Sequence, residues 1–228
     1  MSAFFISYSI FLTLLLGLHD LKYKANILHR DVSVNNIMYE VRDGGEPFFI
    51  LNDFDLVSLD KSDDEEAKPS SKHRTETLPF MPCEVLDDLE KVNREGSPVI
   101  PHILRFDFES LYWVSLWCTM AMEPVRDPVL KQAIKTTLSE WETGSFKQIA
   151  SLKRNLIRKP ALVKTLPMTP LYMPCRKWLL SWTALLFRAD MQLSTCELQV
   201  EQGLDVDPID LETIDGIITK ESMLKAIE

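Results

Sequence analysis

The sequence predicts a mainly α fold with one small β-hairpin, and three observations lead there. Long apolar segments at helical spacing recur through the chain, at 4–23, 104–117, 129–141, 146–157 and 175–189. Only two short runs read as a strand pair, Ile37 to Val41 and Phe48 to Leu51, and Asp43-Gly44-Gly45 between them is a strong turn signal. The composition, 46% hydrophobic and 26% charged over 228 residues, is that of a globular chain able to bury a sizeable core.

In chain order, residues 4–23 form a helix apolar on nearly every side, with Asn26 as its stop. The run from Ala3 to Leu18 carries no charge, yet it lacks a basic n-region and a small-x-small cleavage site before His19. It is also short of the roughly 20 residues a membrane span needs, so a buried helix is expected rather than a signal or anchor. After the hairpin, 58–73 is rich in charge, Ser and Pro and is expected to be an exposed, disordered insertion. The helix at 104–117 follows a proline-containing segment, with Asp107 in its first turn where the helix dipole favours an acid. Beyond Pro124, 129–141 and 146–157 are amphipathic helices with basic outer faces, and Trp141, Phe146 and Leu152 are assigned to the core. Pro167 to Pro174 reads as a linker, and 175–189 as an aromatic helix around Trp178, Trp182 and Phe187. Thr219 caps a last helix near the C-terminus.

A net charge of -9 argues against a nucleic-acid binder working through broad phosphate attraction and leaves room for basic peptide substrates. Cys83, Cys118, Cys175 and Cys196 are scattered with no C-x-x-C pair, so neither a zinc site nor a disulfide framework is suggested. An intracellular, reducing location is the resulting expectation, cytoplasmic or nuclear.

The chemistry concentrates in His29-Arg30-Asp31-Val32-Ser33-Val34-Asn35-Asn36, of the form H-R-D-x-x-x-x-N. An Asp and an Asn five apart on one loop suit a phosphate with its magnesium: the Asp accepts a hydroxyl proton, and the Asn oxygen takes a place on a hard, oxygen-seeking cation. A second motif follows, where Phe48-Phe49-Ile50-Leu51 leads into Asn52-Asp53-Phe54-Asp55. The hairpin then brings Asn36 and Asp53 to neighbouring backbone.

With these two motifs the chain resembles the protein kinases, and among them the fungal-type group. Asn52-Asp53-Phe54-Asp55 is similar to the D-F-G element with Asp55 for the glycine. Arg74 to Glu84 resembles the G-T-x-x-Y-M-A-P-E end of an activation segment, with Glu76 and Cys83 as departures. Arg105-Phe106-Asp107-Phe108-Glu109-Ser110-Leu111 fits the group's R-x-D-x-E-S-L pattern. The resemblance implies a protein-kinase-like C-terminal lobe spanning 1–228, with the N-terminal β lobe absent, and ATP with Mg²⁺ as cofactors. It implies Asp31 as catalytic base, His29, Arg30 and Thr77 as its organisers, and Asn36 and Asp53 as nucleotide and metal ligands. Asp107 would brace the catalytic loop, and Glu84 would pair with a buried arginine for which Arg176 is a candidate. Ser33 stands where serine/threonine kinases usually carry a lysine. The insertion 58–73 would belong to the activation segment, with Ser62, Ser70 and Ser71 in it and Thr75 and Thr77 just beyond it as hydroxyls where phosphate could be added; the alternative is a solvated insertion with no regulatory role, since Asp63-Asp64-Glu65-Glu66 would repel a nearby phosphate.

The 28 residues ahead of His29 hold no G-x-G-x-x-G and no Val-Ala-Ile-Lys-like strand. A truncated chain, weakly active or inactive, is therefore expected, needing a missing N-lobe segment or a partner over its exposed lobe face. The protein substrate is not legible. The competing readings are an inactive lobe serving as an interaction module and a small-molecule phosphotransferase sharing H-x-D-x-x-x-x-N. Arg30 and the segment from Thr77 to Glu84 favour the protein kinases over the latter.

Overall fold

The computed structural model describes residues 3–41, 47–55, 58–59, 78–95 and 100–227. Seven α-helices dominate them, with two small antiparallel sheets of two strands each. Helix α1 (Ala3–Ala25) ends where Asn26 takes φ 56°, a left-handed stop suited to asparagine, with Lys22 and Lys24 at the negative end of its dipole. Phe11, Leu14, Leu15 and Leu18 are buried at i, i+3, i+4 and i+7. Leu16 is 39% exposed, so α1 keeps a solvent-facing ridge where the sequence suggested burial on nearly every side. Among the described residues no helix is long and apolar enough to cross a membrane.

The hairpin pairs β2 (Ile37–Val41) with β3 (Pro47–Leu51), in the register Ile37 to Leu51 and Tyr39 to Phe49. Its turn, 42–46, lies outside the described residues. A second sheet, not foreseen, joins β1 (Ile27–Leu28) to β4 (Ser58–Leu59). Ser58 and Leu59 thus belong to a strand rather than to the exposed insertion, whose residues 60–73 lie outside the described residues.

Helix α2 (Cys83–Glu95) and α3 (Leu104–Ala121) follow, the latter buried over most of its length. Asp127 caps α4 (Pro128–Thr143) by accepting from the Val129 N–H, and Ser145 with Gln148 forms a capping box on α5 (Phe146–Arg158). The segment expected to be a linker is packed instead: Pro170–Cys175 winds as a 3-10 turn, and Met168, Thr169 and Tyr172 are buried. The aromatic helix α6 (Arg176–Glu201) runs well past residue 189 because its later turns alternate apolar and polar residues without Gly or Pro. Thr219 and Ser222 cap α7 (Lys220–Ile227) reciprocally, each hydroxyl accepting the other's N–H at 3.0 Å.

One apolar cluster runs from α1 through α3 and α6 to α7, centred on Phe11, Tyr112, Trp113, Trp178 and Trp182. A smaller cluster of Leu78, Leu86, Ile149 and Ala150 joins α5 to the turn ahead of α2. Leu152 faces outward at 37% exposure, not into the core, because the buried stripe of α5 is Ile149, Ala150, Lys153, Leu156 and Ile157.

Candidate active site

The loop between β1 and β2 is shaped by one carboxylate. Asp107, 1% exposed in the first turn of α3, accepts the His29 N–H at 2.9 Å through Oδ2 and the Arg30 N–H at 2.9 Å through Oδ1. His102 Nε2 approaches the same Oδ1 at 2.8 Å. Burial pushes the Asp107 carboxyl up, but the His102 ring and the two backbone donors outweigh it and hold the group below the ordinary aspartate value. Those bonds fix an unusual backbone, since Arg30 sits at φ 70°. A non-glycine residue there costs about 1–3 kcal/mol, and hydrogen bonds to a charged acceptor contribute about 1.5–3 kcal/mol each. The bonds therefore offset the strain.

His29 is fully buried and works through its ring. Nδ1 accepts the Asp31 N–H at 3.3 Å while Nε2 lies 3.1 Å from the Asn52 carbonyl, so the proton belongs on Nε2. Burial lowers its pKa below the usual 6.5, against the pull of Asp107, and the ring is neutral. Its edge packs on Phe54, with centroids 5.1 Å apart at 61°. The imidazole thereby connects the loop holding Asp31 to the segment holding Asp53.

Asn36 closes the loop. Its Nδ2 donates to the Asp31 carbonyl at 2.9 Å and to Asp31 Oδ2 at 3.0 Å, which turns its amide oxygen away from Asp31. The Asn52 N–H donates to the Asn36 carbonyl at 2.7 Å, so Asn36 and Asp53 do arrive on adjacent backbone as the hairpin suggested. Asp53 takes φ 62° and accepts the Asp55 N–H at 3.4 Å. The left-handed residue is thus the acid itself; Asp55, in the glycine's place, keeps negative φ. Ser33 is fully buried and its Oγ has no hydrogen-bond partner.

Glu84 pairs with Arg105, not with Arg176. Both carboxylate oxygens meet the guanidinium, Oε1 on Nη1 and Oε2 on Nη2 at 3.1 Å, with the arginine side chain 5% exposed. Arg176 instead gives Nη2 to the Leu166 carbonyl at 2.9 Å. Two residues further on from Asp107, Glu109 accepts the Cys83 N–H at 2.8 Å and Trp113 Nε1 at 3.0 Å. Arg105, Asp107 and Glu109 thus tie the start of α3 to α2 and to the loop between β1 and β2 together. Thr77 lies outside the described residues, as do Ser62, Ser70, Ser71 and Thr75. His102 and Arg105 were missed as site residues. The charge of Arg105 two positions before Asp107 was a usable signal, whereas nothing marked His102.

Residues 10–119, from within α1 almost to the end of α3, match the family model of the fungal protein kinases. Over that segment the chain is similar to the fungal protein kinases. The described residues of the candidate site, from His29 to Glu109, all lie inside it. No curated protein and no solved structure matches the chain.

The donor set suits a hard cation. Asn36 offers an amide oxygen whose NH₂ is already engaged, and Asp53 a carboxylate on adjoining backbone, which is the oxygen chemistry Mg²⁺ takes alongside phosphate and water. Among the described residues no cluster of three or more His, Cys, Asp or Glu side chains assembles a metal site.

Proposed function

We propose that this chain is the C-terminal lobe of a fungal-type protein kinase that moves the γ-phosphate of ATP to serine or threonine hydroxyls. The observation that carries the reading is the pre-set catalytic loop, in which Asp107 holds His29 and Arg30 while Asn36 holds Asp31. Phosphoryl transfer asks mostly for positioning and charge stabilisation, so a loop rigid before substrate arrives is what the reaction needs. Asp31 would orient the hydroxyl and take its proton. The Asn36 bond to Oδ2 sets the rotation of that carboxylate. Asn36 and Asp53 would hold Mg²⁺, which supplies charge neutralisation of the phosphates when bound. Leu78 to Met81, packed against α3 and α5, would offer the wall along which a peptide lies.

The 228 residues contain no Gly-rich loop or strand lysine, and these would have to act from a β lobe seated on the hairpin. Two exposed apolar side chains favour such a cover: Met38 and Ile50 face each other across β2 and β3 at 50% and 37% exposure. The same surface also suits the second reading, an inactive lobe that binds a partner there. Fusing a fungal-type kinase β lobe ahead of residue 1 and following labelled phosphate from ATP into a pool of Ser/Thr peptides separates the two. Transfer is expected from the fusion, falling about 10²-fold or more in Asp31→Asn. A folded fusion that transfers nothing favours the interaction module.

A further inference from the structure

Lys153 is the one lysine of α5 that points inward, and the site just described makes no use of it. Its side chain is fully buried in the helix stripe between Ala150 and Leu156. No carboxylate among the described residues lies within ion-pairing distance. Its Nζ instead donates to the Met81 carbonyl at 2.5 Å, lies 3.5 Å from that of Leu78, and sits 4.8 Å from the ring centre of Trp113. An ammonium taken out of water costs several kcal/mol unless well compensated, and two carbonyls and an aromatic face are modest compensation. Such a charge is a poor way to gain stability. It is an effective way to hold the short 3-10 turn Leu78–Phe80, whose own Met81 N–H to Leu78 carbonyl bond is long at 3.4 Å.

We propose that Lys153 is a positioning residue that pins the turn from Leu78 to Met81 against α3 and α5, so that the wall offered to a peptide substrate depends on a buried ammonium. The peptide part rests on the kinase reading above; the pin itself does not. The charged and titratable groups around it come from three other elements. Glu109 on α3 bears on Lys153 directly and favours its charged form, while burial keeps the nearby Cys83 thiol of α2 protonated and uncharged. Arg154, its neighbour on α5, is engaged elsewhere, by Asp87 of α2 at 2.6 Å and by Asp190 of α6 at 3.5 Å. Burial outweighs Glu109 and brings the ammonium down to about 7. The pin would therefore weaken as pH rises through neutrality, when charge-assisted bonds to two carbonyls become ordinary amine contacts.

Amide hydrogen exchange on the full chain tests this, with Lys153→Met and Lys153→Arg compared to wild type from about pH 6 to 8.5 after correction for intrinsic rates. In wild type, exchange over residues 78–86 is expected to rise about tenfold across that range while α1 and α6 stay unchanged. Lys153→Met should exchange fast over 78–86 at every pH with its Tm unchanged or raised, since a buried charge has been removed. Lys153→Arg should abolish the pH step. Exchange in Lys153→Met within about twofold of wild type, or faster exchange everywhere with a lower Tm, overturns the proposal. If Lys153→Met does not fold, a pH step that persists in Lys153→Arg overturns it instead. A basic Ser/Thr peptide added at pH 6 should slow exchange over 78–86 in wild type. If the pH and variant patterns hold but the peptide protects nothing, the pin stands and the peptide-substrate reading falls.

Discussion

Asp107 does more for the candidate site than Asp31 does in the resting protein. Three donors converge on it, two of them backbone N–H groups that fix a left-handed arginine. The consequence is an acid limit to which two groups of the site contribute. His29 has its folded pKa lowered, so its contribution to stability is complete above 6.5 and is lost as pH falls through the folded value, when Nδ1 gains a proton and can no longer accept from Asp31. Asp107 is also lowered, so its contribution is complete above the unfolded value near 3.8 and is lost at still lower pH. Stability measured by urea unfolding should therefore decline in two stages on acidification, the first below 6.5. His29→Phe should remove the first stage and leave the second.

At the scale of the element, α3 and α5 show what periodicity reveals and what it conceals. Arg105, Asp107 and Glu109 lie two positions apart, yet all three are buried because α2, the loop between β1 and β2 and the C-terminal segment surround the start of α3 on different sides. A double-mutant cycle on Glu84→Gln and Arg105→Met should return a coupling of about 1–3 kcal/mol. The matching cycle with Arg176→Met should return none, since that guanidinium bonds the Leu166 carbonyl. The loop motif, the hairpin and the helix starts were legible because each rests on local chemistry: turn residues, caps and the spacing of polar ligands. The Glu84 partner was not legible, because two arginines at different separations from it satisfy the sequence equally well. Lys153 was concealed by its type. A lysine on an amphipathic helix normally belongs to the wet face, although Ile149, Ala150, Leu156 and Ile157 place position 153 within the buried stripe. Leu152 was misassigned to the core for the complementary reason.

Over the molecule as a whole, aromatic side chains connect the elements that carry the site. Phe11 of α1 meets Trp182 at 4.0 Å and Trp178 at 5.0 Å, Tyr112 meets Trp182 at 5.7 Å and Trp113 at 4.8 Å, and Trp113 meets Trp141 at 5.6 Å. Helices α1, α3, α4 and α6 thus share one continuous aromatic core, and the helix leading into the candidate site is seated on it. Trp182→Ala should cost about 3–5 kcal/mol in global unfolding, with a single transition rather than separate loss of one helix.

The same arrangement divides the light the protein emits. Trp113, Trp141, Trp178 and Trp182 are all buried in the shared core, so their fluorescence should change together when the whole structure gives way. Trp117 stands apart. It is partly exposed and lies edge-on to Phe80 at 5.4 Å, within the turn that Lys153 holds. A chain in which only Trp117 emits would carry its own optical gauge of that turn.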